Sequence, residues 1–277
     1  MTKLKCCELG ILLPLILLIQ CNYIPHIAAT NGTIAVDVLP LTNDTITKKI
    51  IGGDFVSILG APFMVNLRLD NEFVCGGTLL RPNCVLTAAH CVIGTPAFRF
   101  DVQAGTTILS SPGQVANVES IFIPRQYSKA TKNYDVAIMR LDRPLSGSRV
   151  QLVTLGSDNV RPGQRLRVYG WGRRREDGAS AVALRAAVVR VIRRAECNRV
   201  YRQDDEGYLS RTMFCASAPG IKDSCSGDSG GPLMFRGRQY GIVSWGIGCG
   251  RTNFPGVYTS IRAVQPWINQ IVAQHCQ

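Results

Sequence analysis

Asp223-Ser224-Cys225-Ser226-Gly227-Asp228-Ser229-Gly230-Gly231-Pro232 sets one hydroxyl, that of Ser229, among three glycines, with one carboxylate directly before it and another at Asp223. Glycine tolerates positive φ and lets a second backbone approach closely. Gly227, Gly230 and Gly231 therefore point to an exposed, tightly held side chain rather than a flexible linker. A serine held this way is a candidate nucleophile. A glycine-rich turn between strands is the alternative on composition alone, and the rest of the chain has to decide.

A serine hydroxyl is a poor nucleophile at neutral pH and needs a base, most often histidine. The chain has three histidines. His26 falls in the leader and His275 almost at the C-terminus, which leaves His90 in Leu86-Thr87-Ala88-Ala89-His90-Cys91. A histidine among small apolar residues is ordinarily a satisfied core side chain; elimination raises His90 above that reading. A histidine base in turn needs an acceptor to hold its tautomer. Asp135, in Asn133-Tyr134-Asp135-Val136-Ala137-Ile138-Met139, enters an apolar run where an unpartnered carboxylate would cost several kcal/mol. A turn acceptor is the plainer role for an aspartate at a strand start.

The setting is that of an exported globular protein. At 277 residues, with 46% hydrophobic and 18% charged residues, the chain can bury a real core. Lys3 and Lys5 precede an apolar run from Leu9 to Ile19, with Ala28 and Ala29 beyond it, the pattern of a secretory signal over residues 1–29 cut between 21 and 29. A retained anchor is the other reading; with the signal removed, no membrane association is expected. Residues 30–49 are polar, carry the glycosylation sequons Asn31-Gly32-Thr33 and Asn43-Asp44-Thr45, and end in Lys48-Lys49 before Ile50-Ile51-Gly52-Gly53. They have the character of a removable segment ending at a basic cleavage site, although a plain linker would look the same.

Of 11 cysteines, Cys6, Cys7 and Cys21 belong to the leader, leaving eight. An even set in an oxidising compartment implies disulfides. No Cys-x-x-Cys pair survives the leader, so neither a metal nor a cofactor is expected. The net charge of +12 is mostly arginine. Arg173-Arg174-Arg175 and the set Arg190, Arg193, Arg194, Arg199 and Arg202 are candidates to attract a sulfated polyanion, with a solvated face as the plainer reading. No nucleic-acid recognition motif is present.

From Phe55 onward, short apolar runs alternate with turn residues: Phe63 to Leu69, Val74 to Leu80, Cys84 to Thr87, Val115 to Phe122, Val136 to Leu141, Leu166 to Tyr169, Ala186 to Ile192, Pro232 to Phe235, Gln239 to Trp245 and Gly256 to Ser260. This is an all-β pattern, a sandwich or a pair of barrels. Only Ala263 to His275 has clear helical spacing, with Val264, Trp267, Ile268, Ile271 and Val272 on one face and Pro266 placed in its first turn. The segment near Arg193 to Tyr201 is a candidate short helix.

Ile50-Ile51-Gly52-Gly53, Thr87-Ala88-Ala89-His90-Cys91, Asp135-Val136-Ala137-Ile138, Gly227-Asp228-Ser229-Gly230-Gly231-Pro232 and Ser244-Trp245-Gly246 together resemble, in order, the signatures of the chymotrypsin-like serine proteases. The likeness runs from Ile50 to the end. It implies two six-stranded antiparallel β-barrels and a C-terminal α-helix, with the first barrel at about 50–155, the second at about 156–262 and the helix at about 263–275. It also implies a secreted serine endopeptidase made as a zymogen, with an inactive homologue serving as a binding module as the alternative.

By that resemblance Ser229 is the nucleophile, His90 the general base and then acid, and Asp135 the residue that orients His90. The backbone N–H groups of Gly227 and Ser229 would form the oxyanion hole. Cleavage of the Lys49–Ile50 bond would free an α-amino group to pair with Asp228. Asp223, six residues before the nucleophile, would lie at the base of the primary pocket and select Arg or Lys. Ser224, Ser244, Gly246 and Gly256 would complete that pocket. Expected partners are protein or peptide substrates and protein protease inhibitors. The resemblance pairs Cys75 with Cys91, Cys197 with Cys215 and Cys225 with Cys249. Cys84 and Cys276 are left over, and we hypothesise a fourth bridge between them. Three departures from the family stand out: Ser226 replaces the usual glutamine, Gly105 to Gln114 lacks the acids of a calcium loop, and Pro255 replaces the tyrosine that accompanies sodium sensitivity. Neither calcium nor sodium binding is expected.

Overall fold

The computed structural model describes residues 53–173, 180–203, 209–217, 227–247 and 254–276. Lys49, Ile50, Asp223, Ser224, Cys225, Ser226 and Cys249, as well as the leader and the segment after it, lie outside the described residues.

A short strand β1 (Asp54–Phe55) leads into six strands: β2 (Met64–Leu69), β3 (Glu72–Arg81), β4 (Cys84–Thr87), β5 (Phe100–Ala104), β6 (Gln114–Phe122) and β7 (Ala137–Leu141). They close into an antiparallel barrel in the order β2-β3-β4-β7-β6-β5. Asp70 and Asn71, both at positive φ, make the two-residue turn between β2 and β3. Aspartate and asparagine tolerate that left-handed geometry, which matches the twist of a hairpin.

After β8 (Thr154–Leu155) the second barrel is built from β9 (Arg165–Gly170), β10 (Arg185–Val191), β11 (Met213–Ser217), β12 (Pro232–Phe235), β13 (Arg238–Trp245) and β14 (Gly256–Ser260). The ring runs β9-β10-β11-β14-β13-β12 and closes because β9 pairs with both β10 and β12. Strand β1 pairs with β10, so the chain touches the second barrel before it builds the first. Helix α1 (Arg194–Gln203) lies between β10 and β11, and α2 (Ile261–His275) follows β14 without a loop.

The strands read as near-continuous apolar runs because both of their faces are covered. Val65, Leu67, Val85 and Met139 fill the first barrel, whereas their neighbours Met64, Leu86 and Ile138 face a shared core with Trp171, Ile242, Val264 and Ile268. Leu166, Val168, Val189, Leu233 and Tyr258 fill the second barrel. Polar bonds cross the shared core: the buried Thr78 hydroxyl donates to Gln239 Oε1 at 2.9 Å, and Gln239 Nε2 donates on to the Gly241 carbonyl at 3.1 Å. Removing one partner of such a buried pair costs about 1–3 kcal/mol.

Pro266 sits in the second turn of α2, not the first. The helix starts two residues earlier than its polar–apolar spacing suggests because Ile261, directly after β14, is fully buried and anchors its start. Cys276 at its end is bonded to Cys84 in β4, with Cα atoms 5.8 Å apart. The other described bridges are Cys75–Cys91 and Cys197–Cys215.

Candidate active site

His90 and Asp135 meet at the end of the first barrel. His90 lies in a single 3-10 turn after β4, and Asp135 lies just before β7; register Thr87↔Ala137 brings the two strand ends together. Asp135 is the middle residue of a tight turn closed by the Val136 N–H on the Tyr134 carbonyl at 2.8 Å. Tyr134 before it has φ of 53°, a left-handed conformation that costs a bulky residue about 1–3 kcal/mol. That strain is held from the other barrel. The Tyr134 N–H donates to Thr212 Oγ1 at 3.2 Å, and the Thr212 hydroxyl donates to Asn133 Oδ1 at 2.9 Å.

The Asp135 side chain is fully buried, and its charge is met by aimed donors. The backbone N–H of His90 donates to Oδ1 at 2.9 Å, and His90 Nδ1 lies 2.7 Å from Oδ2. The Ser244 hydroxyl, from β13, donates to Oδ2 at 2.5 Å. Thr259, from β14, donates its hydroxyl to the Asp135 backbone carbonyl at 2.9 Å. With Nδ1 facing a carboxylate, the His90 ring is fixed with Nε2 turned away from Asp135, available to take a proton. Tyr127 nearby is half-buried, and its buried hydroxyl has no hydrogen-bond partner among the described residues. Burial, and the negative charge of Asp135, push its pKa up to about 12.

Ser229 is placed by its backbone. Gly76 N–H, in β3, donates to the Ser229 carbonyl at 2.8 Å, and Gly230 N–H donates to the Val243 carbonyl at 2.9 Å. Gly230, at φ 77°, packs so tightly on the first barrel that a Cβ there would fall inside the van der Waals radii of Thr87 Oγ1 and the Gly76 carbonyl. Thr87 is three residues before His90, so the serine loop is seated on the strand that carries the histidine. Among the described residues, neither the Gly227 nor the Ser229 N–H has a backbone acceptor. Asp228 turns its carboxylate the other way, into a cradle of Gly170 and Gly172 whose second member donates its N–H to Oδ1 at 2.8 Å. Either glycine with a Cβ would collide with that carboxylate.

Of the remaining residues singled out in the sequence, Gly246 and Gly256 face one another, a Cβ on the former lying 3.7 Å from the Cα of the latter. Trp245 packs edge-on against Tyr201, centroids 4.8 Å apart, and the Tyr201 hydroxyl donates to the Pro255 carbonyl. Donor atoms of Cys75, His90 and Cys91 lie within 4.8 Å of one another, but the two sulfurs are bonded together and offer no thiolate to a metal. Sequence reasoning missed Thr259, Thr212 and Gly172. Thr259 left a usable signal: a hydroxyl in a strand covered on both faces needs a partner.

Two closed antiparallel barrels with a serine, a histidine and a buried aspartate gathered at their junction define a serine-type endopeptidase of the chymotrypsin-like class, a hydrolase acting on protein substrates. The family model described as Trypsin matches residues 50–268. Seminase of Drosophila melanogaster is 39% identical over 79% of this chain and 80% of its own length, and Trypsin zeta of the same organism is 36% identical over 85% and 91%. The solved structure of neuropsin, a serine protease expressed in the limbic system of mouse brain, superposes with a TM-score of 0.73 at 30% identity, covering 79% of this chain and 98% of that one. The chain belongs to the trypsin family.

Proposed function

We propose that the protein is a secreted endopeptidase that cleaves after Arg or Lys through an acyl-enzyme on Ser229, and that it is made as a zymogen activated between Lys49 and Ile50. The observation that carries the reading is the His90–Asp135 pair at 2.7 Å beside a serine loop seated on Gly76 and Thr87. His90 Nε2 takes the Ser229 proton as Oγ attacks the scissile carbonyl, and Asp135 stabilises the imidazolium that forms. The proton then passes from His90 to the leaving amine, and water repeats the sequence in reverse to release the acid. The N–H groups of Gly227 and Ser229 receive the developing oxyanion, a role in which one donor is worth about 3 kcal/mol.

Selection of Arg or Lys rests on Asp223, with Ser224, Ser244, Gly246 and Gly256 around it. Activation rests on an Ile50 amine pairing with Asp228. Secretion rests on the leader; among the described residues, no helix is long and apolar enough to cross a membrane. Protein protease inhibitors that present an Arg or Lys loop, and sulfated polyanions, are the further partners of this reading.

The test is a peptide-library profile before and after cleavage at Lys49, with active-site titration by a phosphonate. The expected result is labelling of Ser229 only after cleavage, with Arg or Lys before the scissile bond. Asp223→Ser should lose that selection while still accepting the phosphonate. Unchanged tryptic cleavage in Asp223→Ser would overturn the specificity, and failure of the cut chain to label would favour a binding module.

A further inference from the structure

The outer face of the second barrel carries arginines that the protease chemistry does not use. Along β9, Leu166 and Val168 point into the barrel, so Arg165 and Arg167 point out and are exposed. Strand β10 pairs with β9 in the register Arg190↔Arg165 and Val188↔Arg167, which sets two exposed guanidinium groups directly opposite one another. Like charges in opposite positions destabilise a sheet unless an anion lies over them. On the other side of β9, Met234 pairs with Arg167, and the turn after β12 presents Arg236 at φ 47°, its guanidinium 5.2 Å from the Phe235 ring centroid. Arg165, Arg167 and Arg236 rim an open groove of about 370 Å³ whose floor includes Phe63, Tyr169, Val188 and Met234.

None of Arg165, Arg167, Arg190 and Arg236 has an ion-pair partner among the described residues. Every described basic residue of this barrel is arginine, the side chain that binds sulfate and phosphate oxygens in a two-pronged fashion. The arginines of α1 differ: the sequence runs from Arg199 and Arg202 straight into Asp204-Asp205-Glu206, which supplies local counter-charge.

We propose that this β9–β10–β12 face is the binding surface for a linear sulfated polysaccharide, with sulfates over the Arg165–Arg190 pair, Arg167 and Arg236. The inference rests on the polyanion reading above and places it on the sheet rather than on α1 or Arg173-Arg174-Arg175. Closure of the barrel leaves the strands here paired on both sides, so no sheet edge is open to an extended acidic peptide. Tyr169 and Met234 in the floor are buried and Phe63 and Val188 are half-buried, so none of these four apolar side chains stands out to insert in a bilayer.

The experiment measures binding of the full chain to heparin over a series of NaCl concentrations. Two variants of equal charge are compared: Arg165→Gln/Arg167→Gln/Arg190→Gln/Arg236→Gln, and Arg193→Gln/Arg199→Gln/Arg202→Gln/Arg211→Gln. Thermal unfolding of each verifies the fold. The face variant should lose about 100-fold in affinity at physiological salt, with the log–log salt slope reduced by about four, one per arginine. The α1 variant should bind within about threefold of the unaltered chain. Equal losses in the two variants, or loss in the α1 variant alone, overturns the placement while leaving the polyanion reading intact. Absence of heparin binding by the unaltered chain overturns both. Binding of poly-glutamate as tightly as heparin overturns the sulfated occupant.

Discussion

Ser244 Oγ donates to Asp135 Oδ2 at 2.5 Å, a bond between a strand of the second barrel and the carboxylate that holds a histidine of the first. The orientation of His90 is therefore a property of how the two barrels are docked. Ser244→Ala should lower kcat/KM roughly 10- to 100-fold, the range for a lost hydrogen bond to a buried charge of about 1.5–3 kcal/mol. The loss should fall on kcat, with KM nearly unchanged, because Ser244 acts on Asp135 rather than on bound substrate. A rise in KM with kcat unchanged would show that Ser244 contributes only to substrate binding.

Asp135→Asn should retain the fold and lose about 10⁴-fold in kcat, the loss this family's triad shows when its aspartate is replaced, since an amide NH₂ facing Nδ1 stabilises the wrong tautomer. Pre-steady-state acylation rates would report it directly. A loss under tenfold would remove Asp135 from the role given to it.

Gly172→Ala drives a methyl group into the Asp228 carboxylate, which accepts the Gly172 N–H and also packs against Gly170. The variant should fold, as the barrels do not depend on that contact, but react with an active-site phosphonate at least 100-fold more slowly, a displacement worth about 3 kcal/mol at the oxyanion donors. Normal labelling would show that the cradle does not set the serine loop.

Tyr127 gives a pH dependence. Its phenol ionises ordinarily near 10.0 and in the folded protein only at about 12. Between those values the unfolded chain has released the proton and the folded one has not. The stability contributed by neutral Tyr127 is thus complete below pH 10 and falls as pH rises toward 12. Absorbance titration at 295 nm should show a tyrosine ionising near pH 12 that is missing in Tyr127→Phe. That variant should also lose less stability between pH 10 and 12.

Cys84→Ser/Cys276→Ser should destabilise the protein by about 2–5 kcal/mol, or roughly 5–15 °C in unfolding temperature, by releasing the end of α2 from β4. Activity at 25 °C should be nearly intact, since neither cysteine touches His90, Asp135 or Ser229. Differential scanning calorimetry with a parallel rate assay separates the two effects.

Most of the architecture was legible because strands buried on both faces are simply apolar, and Val85-Leu86 or Leu233-Met234 cannot be mistaken for loop. Four strands were not anticipated: β1 and β8 are only two residues long, and the other two, Phe100–Ala104 and Met213–Ser217, bury polar or small side chains. Asp101 and Gln103 look solvated in sequence, yet Asp101 meets Arg68 and Gln103 accepts from Asn66 at 3.1 Å across the pairing of β2 with β5. The residue types of the candidate site could be read from the need of a serine for a base and of a base for an acceptor. Thr212 and Gly172 could not, because they act through distant pairings that only the barrel topology brings about.

The tether between Cys84 and Cys276 also bears on how long such a molecule lasts among its own kind. A carboxypeptidase that trims the chain as far as Cys276 meets a residue bonded covalently to β4, which it cannot release from the fold. The last helix is thereby kept from fraying, and the working lifetime of the enzyme is left to cuts within the chain.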